Sequence, residues 1–432
     1  MRRQTAVALL LLATAFAVTA GAASGNAEPL RVGTSGDYPP FSRAVGEEVV
    51  EFEGFDIELA RAYAVARGRA IEFVPFRWPE LTTALTANRF DVAMSGVTMR
   101  PERSAIGRFS VAVAETGAIV LGRPKDRFSQ LSDFDRQPVT IGVNAGGHLE
   151  RIARAHFPNA TLLAIANNAA VHTALMEGNL DAAVTDTLEA PHWRRANDDL
   201  VLIGPFTSDR KAYLVHPDRP HLAADLDSWL LDREADGTLN RLRSKYFGTQ
   251  KQSRSATPLR ALLTAIDERL SLMPMVGAAK RSAGLPLEVP EREGIVLDAA
   301  IESAMLAAQR ADLAAPPIAA IRRLFRTQME AAKEVQWESL RESQGGPSDS
   351  ALDLQTQLRP ALLRIGDRIG QLLVALPAGL DSSRVREEAL RELRTPHLSK
   401  ASALALADAI SALSATRATR EDNAEAAPAG AP

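Results

Sequence analysis

The residues best suited to chemistry lie between Phe90 and Arg103, FDVAMSGVTMRPER. Phe90 to Met94 alternates and is apolar enough for a buried strand. Ser95-Gly96 then breaks it with a small-residue turn, where a ligand can approach backbone N–H groups. Thr98 follows, and Arg103 stands in Pro101-Glu102-Arg103, which its proline marks as the first turn of a helix. A hydroxyl, backbone amides and a planar guanidinium at one strand end make a clamp for a carboxylate, which a guanidinium meets bidentately. The same letters also read as a strand, a turn and a solvated arginine, and the motif alone leaves both readings open.

A clamp needs a scaffold. From Leu30 to about Gly248, strand-like and helix-like pieces alternate, which predicts an α/β domain. Strands are expected over 30–35, 71–76, 91–95, 117–121, 139–143, 161–165, 182–185, 200–203 and 212–215. Helices are expected over 55–67, 79–87, 148–155, 168–177 and 222–246. Segments 117–121 and 212–215 are placed to cross between two lobes, with a ligand cleft between them. Residues 249–257, TQKQSRSAT, are polar without an apolar pattern and read as a linker. Beyond it, 259–276, 292–309, 318–343, 352–376 and 382–395 all carry 3.6-residue spacing, with no strand candidates. The second domain, 258–398, is therefore expected to be all-helical. Residues 399–432 read as a C-terminal extension whose polar, Ala-rich end, from Thr419 on, is expected to be disordered. Each domain is large enough for its own core, so a cut in the linker is expected to leave two fragments that fold alone.

Composition narrows the classes. A net charge of -3 over 432 residues offers no basic surface for nucleic acid. Arg2-Arg3, an apolar run from Ala6 to Val18 and the small residues Ala20 to Ala27 have the order of a secretory signal peptide over 1–27. The apolar run is short for a membrane span. The mature chain is expected to be periplasmic or secreted, with no membrane partner after cleavage. It has no cysteine, so neither disulfides nor thiols can serve it.

The α/β part resembles the periplasmic amino-acid-binding proteins that serve ABC importers. Gly36-Asp37-Tyr38-Pro39-Pro40-Phe41-Ser42, Gly54-Phe55-Asp56, Arg89-Phe90-Asp91 and the Ser-Gly…Arg clamp carry that likeness. Within that superfamily it is more similar to the cyclohexadienyl (prephenate/arogenate) dehydratases. Trp78-Pro79-Glu80-Leu81, Val143-Asn144-Ala145-Gly146-Gly147, Thr185-Asp186-Thr187-Leu188-Glu189-Ala190 and Lys211-Ala212-Tyr213-Leu214 carry the choice. The resemblance implies that prephenate loses water and carbon dioxide while its ring becomes aromatic. That chemistry needs cations for two carboxylates, a flat wall for the ring and one proton donor. Arg103 and Lys211 would be the cations, with Ser95, Gly96 and Thr98 beside them; Trp78 would be the wall and Asn144 an orienting group. Glu189 would be the general acid, provided that burial or a like charge raises its pKa. The plain alternative for Glu189 is a helix-start residue paired with Arg194 or Arg195. Where the family usually has threonine after the paired glycines, this chain has His148, which would bring its own cation or donor.

The helical part resembles the exported, all-helical gamma-class chorismate mutases. Asp267-Glu268-Arg269-Leu270, Ala279-Lys280, Pro290-Glu291-Arg292-Glu293, Arg323-Leu324-Phe325-Arg326-Thr327-Gln328 and Lys333-Glu334-Val335-Gln336 carry the likeness. It implies a site of Arg269, Lys280, Arg292, Gln336 and Arg368, in which Lys280 and Gln336 flank the ether oxygen of chorismate. The rearrangement needs no nucleophile, metal or cofactor. It needs a dianion held folded, with positive charge where the breaking ether gains electron density. Ala332 departs from the Asn or Thr the family tends to carry there.

Together the resemblances imply a bifunctional enzyme with small-molecule substrates: chorismate, prephenate and arogenate. A rival reading is an amino-acid receptor of a transporter or sensor, fused to a mutase. The sequence carries no signal of oligomeric state.

Overall fold

The computed structural model describes residues 28–46, 50–124, 127–194, 199–248, 255–342 and 352–425. The expected signal peptide (1–27), most of the linker (249–254) and Arg195 lie outside the described residues. Two α/β lobes are followed by a helical domain.

The first lobe opens with β1 (Leu30–Thr34) and a small antiparallel sheet of β2 (Asp37–Tyr38), β3 (Ser42–Val45) and β4 (Glu51–Glu53). It continues through α1 (Phe55–Ala66), β5 (Ile71–Pro75), α2 (Leu81–Thr86), β6 (Val92–Ala93), α3 (Pro101–Ser104) and β7 (Arg108–Phe109). The chain crosses on β8 (Ala114–Thr116) into a second lobe. That lobe holds β9 (Ala118–Gly122), β10 (Thr140–Asn144), α4 (His148–His156), β11 (Thr161–Ile165), α5 (Asn168–Met176), β12 (Ala182–Asp186), α6 (Ala190–Arg194) and β13 (Val201–Ile203). It returns on β14 (Asp209–Lys211) to β15 (Leu214–Val215), α7 (Pro220–Ala235) and α8 (Thr238–Phe247). Each lobe has a five-stranded sheet, ordered β5-β1-β6-β15-β7 and β11-β10-β12-β9-β13.

The crossing itself was misplaced by sequence. It runs not on 117–121 and 212–215 but on the shorter pair β8 and β14, hydrogen-bonded antiparallel to each other. Segment 117–121 enters the second lobe's sheet instead, where its apolar residues are fully buried. The 222–246 helix divides into α7 and α8 at Gly237, whose φ of 76° is left-handed.

The helical domain begins at α9 (Pro258–Ser271), as Thr257-Pro258 announces. The Thr257 hydroxyl accepts from the Arg260 N–H at 3.2 Å, and Pro258 fills a position that has no N–H to lose. Next come α10 (Met273–Ser282), α11 (Pro290–Arg310), α12 (Ile318–Glu342), α13 (Arg359–Val374) and α14 (Ser382–Glu392). The C-terminal extension differs from expectation: residues 400–425 form α15 (Lys400–Glu425), so the helix continues past Thr419. α15 buries Ala403, Leu406, Ala407, Ile410 and Leu413, and Arg417 Nη1 donates to the carbonyls of Leu373, Val374 and Leu376 at the end of α13. Among the described residues no helix is long and apolar enough to cross a membrane.

The two domains are not the independent bodies their lengths suggested. Trp229 and Leu230 of α7 belong to the same apolar core as Leu262, Leu263 and Ile266 of α9. Buried ion pairs cross the boundary, Arg210–Asp267 at 2.7 Å and Arg368–Asp227 at 2.7 Å among them. The full chain should therefore unfold in one cooperative transition, and a fragment ending at Gly248 should melt lower or aggregate. Two separate transitions in calorimetry, one matching that fragment, would overturn this expectation.

Candidate active sites

The first site is the cleft between the lobes, with about 340 Å³ of empty space. Trp78, Gly96, Thr98 and Arg103 line it from the first lobe, Asn144 and His148 from the second, and Lys211 from the hinge strand β14. These are seven of the residues expected there. Lys211 donates to the Tyr38 hydroxyl at 2.9 Å and the Thr98 hydroxyl at 3.0 Å, and pairs with Asp186 at 3.2 Å. Arg103 is buried. Its Nη1 donates to the Thr98 carbonyl at 3.0 Å, its guanidinium lies 5.8 Å from the Trp78 ring centroid, and its Nε has no acceptor among the described residues. Burial, helped by Arg100, pushes its pKa well down, as expected of a cation held without its anion.

Trp78 stands edge-on to Tyr38 and Phe76, and its indole N–H donates to Asp37 at 3.1 Å, which fixes the ring. His148 Nε2 meets Asp209 at 2.9 Å while its Nδ1 is buried without a partner. Burial draws its pKa below the usual imidazole value despite Asp209. His148 thus offers its Nδ1 to a ligand as a donor or acceptor. The lobes meet so closely that a Cβ on Gly146, at φ 70°, would lie 2.7 Å from the Pro79 Cα.

Two expectations need correction. Ser95 is turned away from the cleft: its hydroxyl accepts from the Ser35 N–H at 3.0 Å and pairs with the Ser35 hydroxyl at 2.9 Å. The Gly96 N–H is not free for a ligand, because it donates to the buried Asp56 at 2.5 Å. Gly96 lines the cleft as bare backbone. Asp56, whose pKa burial raises to about 7, also accepts from the Tyr213 hydroxyl at 2.9 Å.

Glu189 sits behind the cleft lining, 1% exposed. Asn168, which does line the cleft, donates to its Oε1 at 2.6 Å, and the Thr185 hydroxyl meets Oε2 at 2.5 Å. Neither described bond is to Arg194, so the helix-start pairing does not hold for that residue. Burial first, then the neighbouring charges of Asp186 and Asp37, hold its carboxyl well above the usual range. Asn168 Nδ2 also donates to the Asp37 carbonyl at 3.3 Å, which fixes the amide as a donor. Tyr38, Asn168 and Asp186 were missed as site residues. Asp186 lies inside a quoted motif, but only folding reveals that it accepts from Tyr38 and faces Lys211.

The second site is a pocket in the helical domain, open to solvent on one side. Arg269, Lys280, Arg292 and Gln336 line it, with Met273, Val276, Phe325, Met329 and Ala332 as apolar wall. Arg269 is buried with Nη1 unpartnered, and burial lowers its pKa to about 10. Lys280, its pKa lowered by burial, donates to the Leu287 carbonyl at 2.6 Å. Gln336 Nε2 donates to the Ala332 carbonyl at 3.1 Å, leaving Oε1 buried and unpartnered.

Arg368 is the third correction. It lies outside this cavity, buried between Asp227 (2.7 Å) and Glu268 (3.1 Å) at the domain boundary. The arginine that α13 turns into the cavity is Arg359, nine positions earlier. At about 100° per residue nine positions place two side chains on opposite faces of a helix. Arg359, Leu362, Leu363 and Gly366 share the cavity face, a pattern that could have found Arg359. Lys333, also missed, lines the cavity but is held by Glu293 at 3.0 Å and Glu330 at 2.9 Å.

Known proteins resemble each part. Residues 30–249 match the model of the bacterial extracellular solute-binding proteins, family 3, and residues 260–337 match chorismate mutase type II. The cyclohexadienyl dehydratase of Pseudomonas aeruginosa is 34% identical over 215 residues, covering 49% of this chain and 79% of that protein. The arginine-binding extracellular protein ArtP of Bacillus subtilis is 28% identical over 257 residues, covering 56% of this chain and 98% of that protein. The crystal structure of an ancestral amino acid-binding protein, a precursor of cyclohexadienyl dehydratase, has 32% identity and a TM-score of 0.48, covering 51% of this chain and 95% of that one. The chain thus belongs to family 3 of the bacterial extracellular solute-binding proteins and carries, behind that domain, a chorismate mutase type II domain.

Proposed function

We propose that the protein is an exported bifunctional enzyme. In this reading the helical cavity rearranges chorismate to prephenate. The lobed cleft then removes water and carbon dioxide from prephenate or arogenate, giving phenylpyruvate or phenylalanine. One observation carries the dehydratase half: Glu189 is a buried carboxyl pushed toward its protonated form beside a cleft that holds Arg103 and Lys211. A carboxylic acid in that state can protonate a leaving hydroxyl at neutral pH, while the two cations hold carboxylates and Trp78 flanks the ring. The mutase half is supported by Arg269, Arg292, Arg359 and Lys280 around one cavity, with Gln336 offering an amide that needs no proton to act.

The receptor reading has its support in the arginine-binding relative. Against it stands Asp186: a zwitterionic amino acid needs a carboxylate for its ammonium, and Asp186 is already held by Lys211 and Tyr38. Residues 1–27 support export by their order of charge, apolar run and small residues. Incubating the purified protein with chorismate and following phenylpyruvate tests the whole reading. Its appearance is the expected result. Prephenate that accumulates without further change, together with tight binding of an amino acid, would overturn the dehydratase half.

A further inference from the structure

The helical domain grips the α/β part at selected points. Among the described residues, every ion pair between them falls on the first lobe or on the hinge strands, and none on the second lobe. The partners it grips adjoin the two cations of the cleft.

Arg210, on hinge strand β14, immediately precedes Lys211. Its Nη1 pairs with Asp267 of α9 at 2.7 Å, and its Nη2 with Glu392 of α14 at 3.1 Å. The Arg210 carbonyl accepts from the Met99 N–H at 2.9 Å, and the Ala212 N–H donates to the Val97 carbonyl at 3.0 Å. The strand that presents Lys211 is thereby clipped to the segment that presents Thr98. On the other side, α3 carries Arg103. Arg364 of α13 donates to the carbonyls of Ser104 and Ala105, at 3.4 and 2.8 Å, and so reaches from the helical domain to the end of α3. Arg269 of α9 lines the helical cavity. Asp267 and Arg269, two positions apart on α9, therefore touch the neighbour of Lys211 and the second active site.

We propose that Asp267 and Arg364 are positioning residues of the cleft. Through Arg210 and Ser104 they set the spacing of Lys211 and Arg103, and the second lobe closes against that preset pair. This rests on the dehydratase reading above. Simple adhesion between domains would need only apolar contact, whereas Asp267 is buried against the Arg210 guanidinium of β14 and Arg364 donates to the backbone at the end of α3. Asp267 is well suited to a selective test. Its Oδ1 accepts from the N–H groups of Arg394 and Thr395, at 2.7 and 2.8 Å, while Oδ2 alone faces Arg210. Asp267→Asn keeps the first oxygen and places an amide N–H₂ against the guanidinium.

The experiment compares the full chain with Asp267→Asn and Arg364→Gln, measuring prephenate dehydration, chorismate rearrangement and melting. The expected result is a prephenate KM raised about tenfold, with mutase turnover within about twofold of the parent. Dehydratase and mutase activities that fall together, tracking the folded fraction, would overturn the proposal in favour of a purely structural role. So would unchanged kinetics in both variants. Should Asp267→Asn not fold, Arg364→Gln decides by the same criteria. A parent that does not dehydrate prephenate overturns the reading beneath, and this role with it.

Discussion

Glu189→Gln should leave the protein able to bind prephenate while phenylpyruvate formation falls by ~10² or more. Glutamine reproduces the protonated acid in shape. Its carbonyl can accept from Asn168 and its amide can donate to the Thr185 hydroxyl, so the two bonds around the carboxyl persist. Only the transferable proton is gone. The helical domain should still turn over, so prephenate should accumulate from chorismate in the variant and not in the parent. Retained dehydration would remove Glu189 from the reaction.

The same residue predicts a pH dependence. Its carboxyl is raised above the ordinary 4.5, so the dehydratase should lose activity as pH rises through the folded-state pKa, where the acid ionises. Between the unfolded and folded pKa values the folded state holds more protons, so Glu189's contribution to stability is complete at low pH and is lost as pH rises. Glu189→Gln stays neutral throughout. At pH 8 the variant should melt no lower than the parent, a combination of lost turnover and kept stability that damage to the fold would not give.

Arg359→Ala should lower mutase kcat by about 10²–10³ and leave dehydration of supplied prephenate unchanged, because it removes one fixed positive donor from the helical cavity. Arg368→Ala should behave in the opposite manner. Arg368 is buried between Asp227 and Glu268, and Asp227 also accepts from the Val111 N–H at 2.6 Å. Removing the arginine strands two buried carboxylates, which costs about 3–5 kcal/mol of stability. Thermal melting and steady-state kinetics on both variants separate the two residues. A stable Arg368→Ala protein with a dead mutase would return Arg368 to the active site and remove Arg359.

The alternation of strand and helix from Leu30 to Gly248, and its switch to pure 3.6-residue spacing after Thr257, were legible because periodicity is a local property of the chain. So were the chemical types of Trp78, Arg103, Asn144 and Lys211, which the cleft brings together. Glu189 could be named from its motif, but its raised pKa comes from burial among Asp186 and Asp37, which lie near it only in the folded chain. Ser95 shows how the period of a strand can mislead. Gly96 and Thr98 line the cleft, yet the Ser95 hydroxyl is claimed by Ser35, sixty residues away. Arg359 and Arg368 carry the same charge on the same helix, and the sequence alone offers either as a ligand for a dianion. The turn of α13 decides between them, sending one into the cavity and the other to Asp227. The domain boundary was likewise hidden in sequence. Asp267 names no partner until folding sets Arg210 opposite it, because a buried ion pair exists only when two distant segments exclude water together.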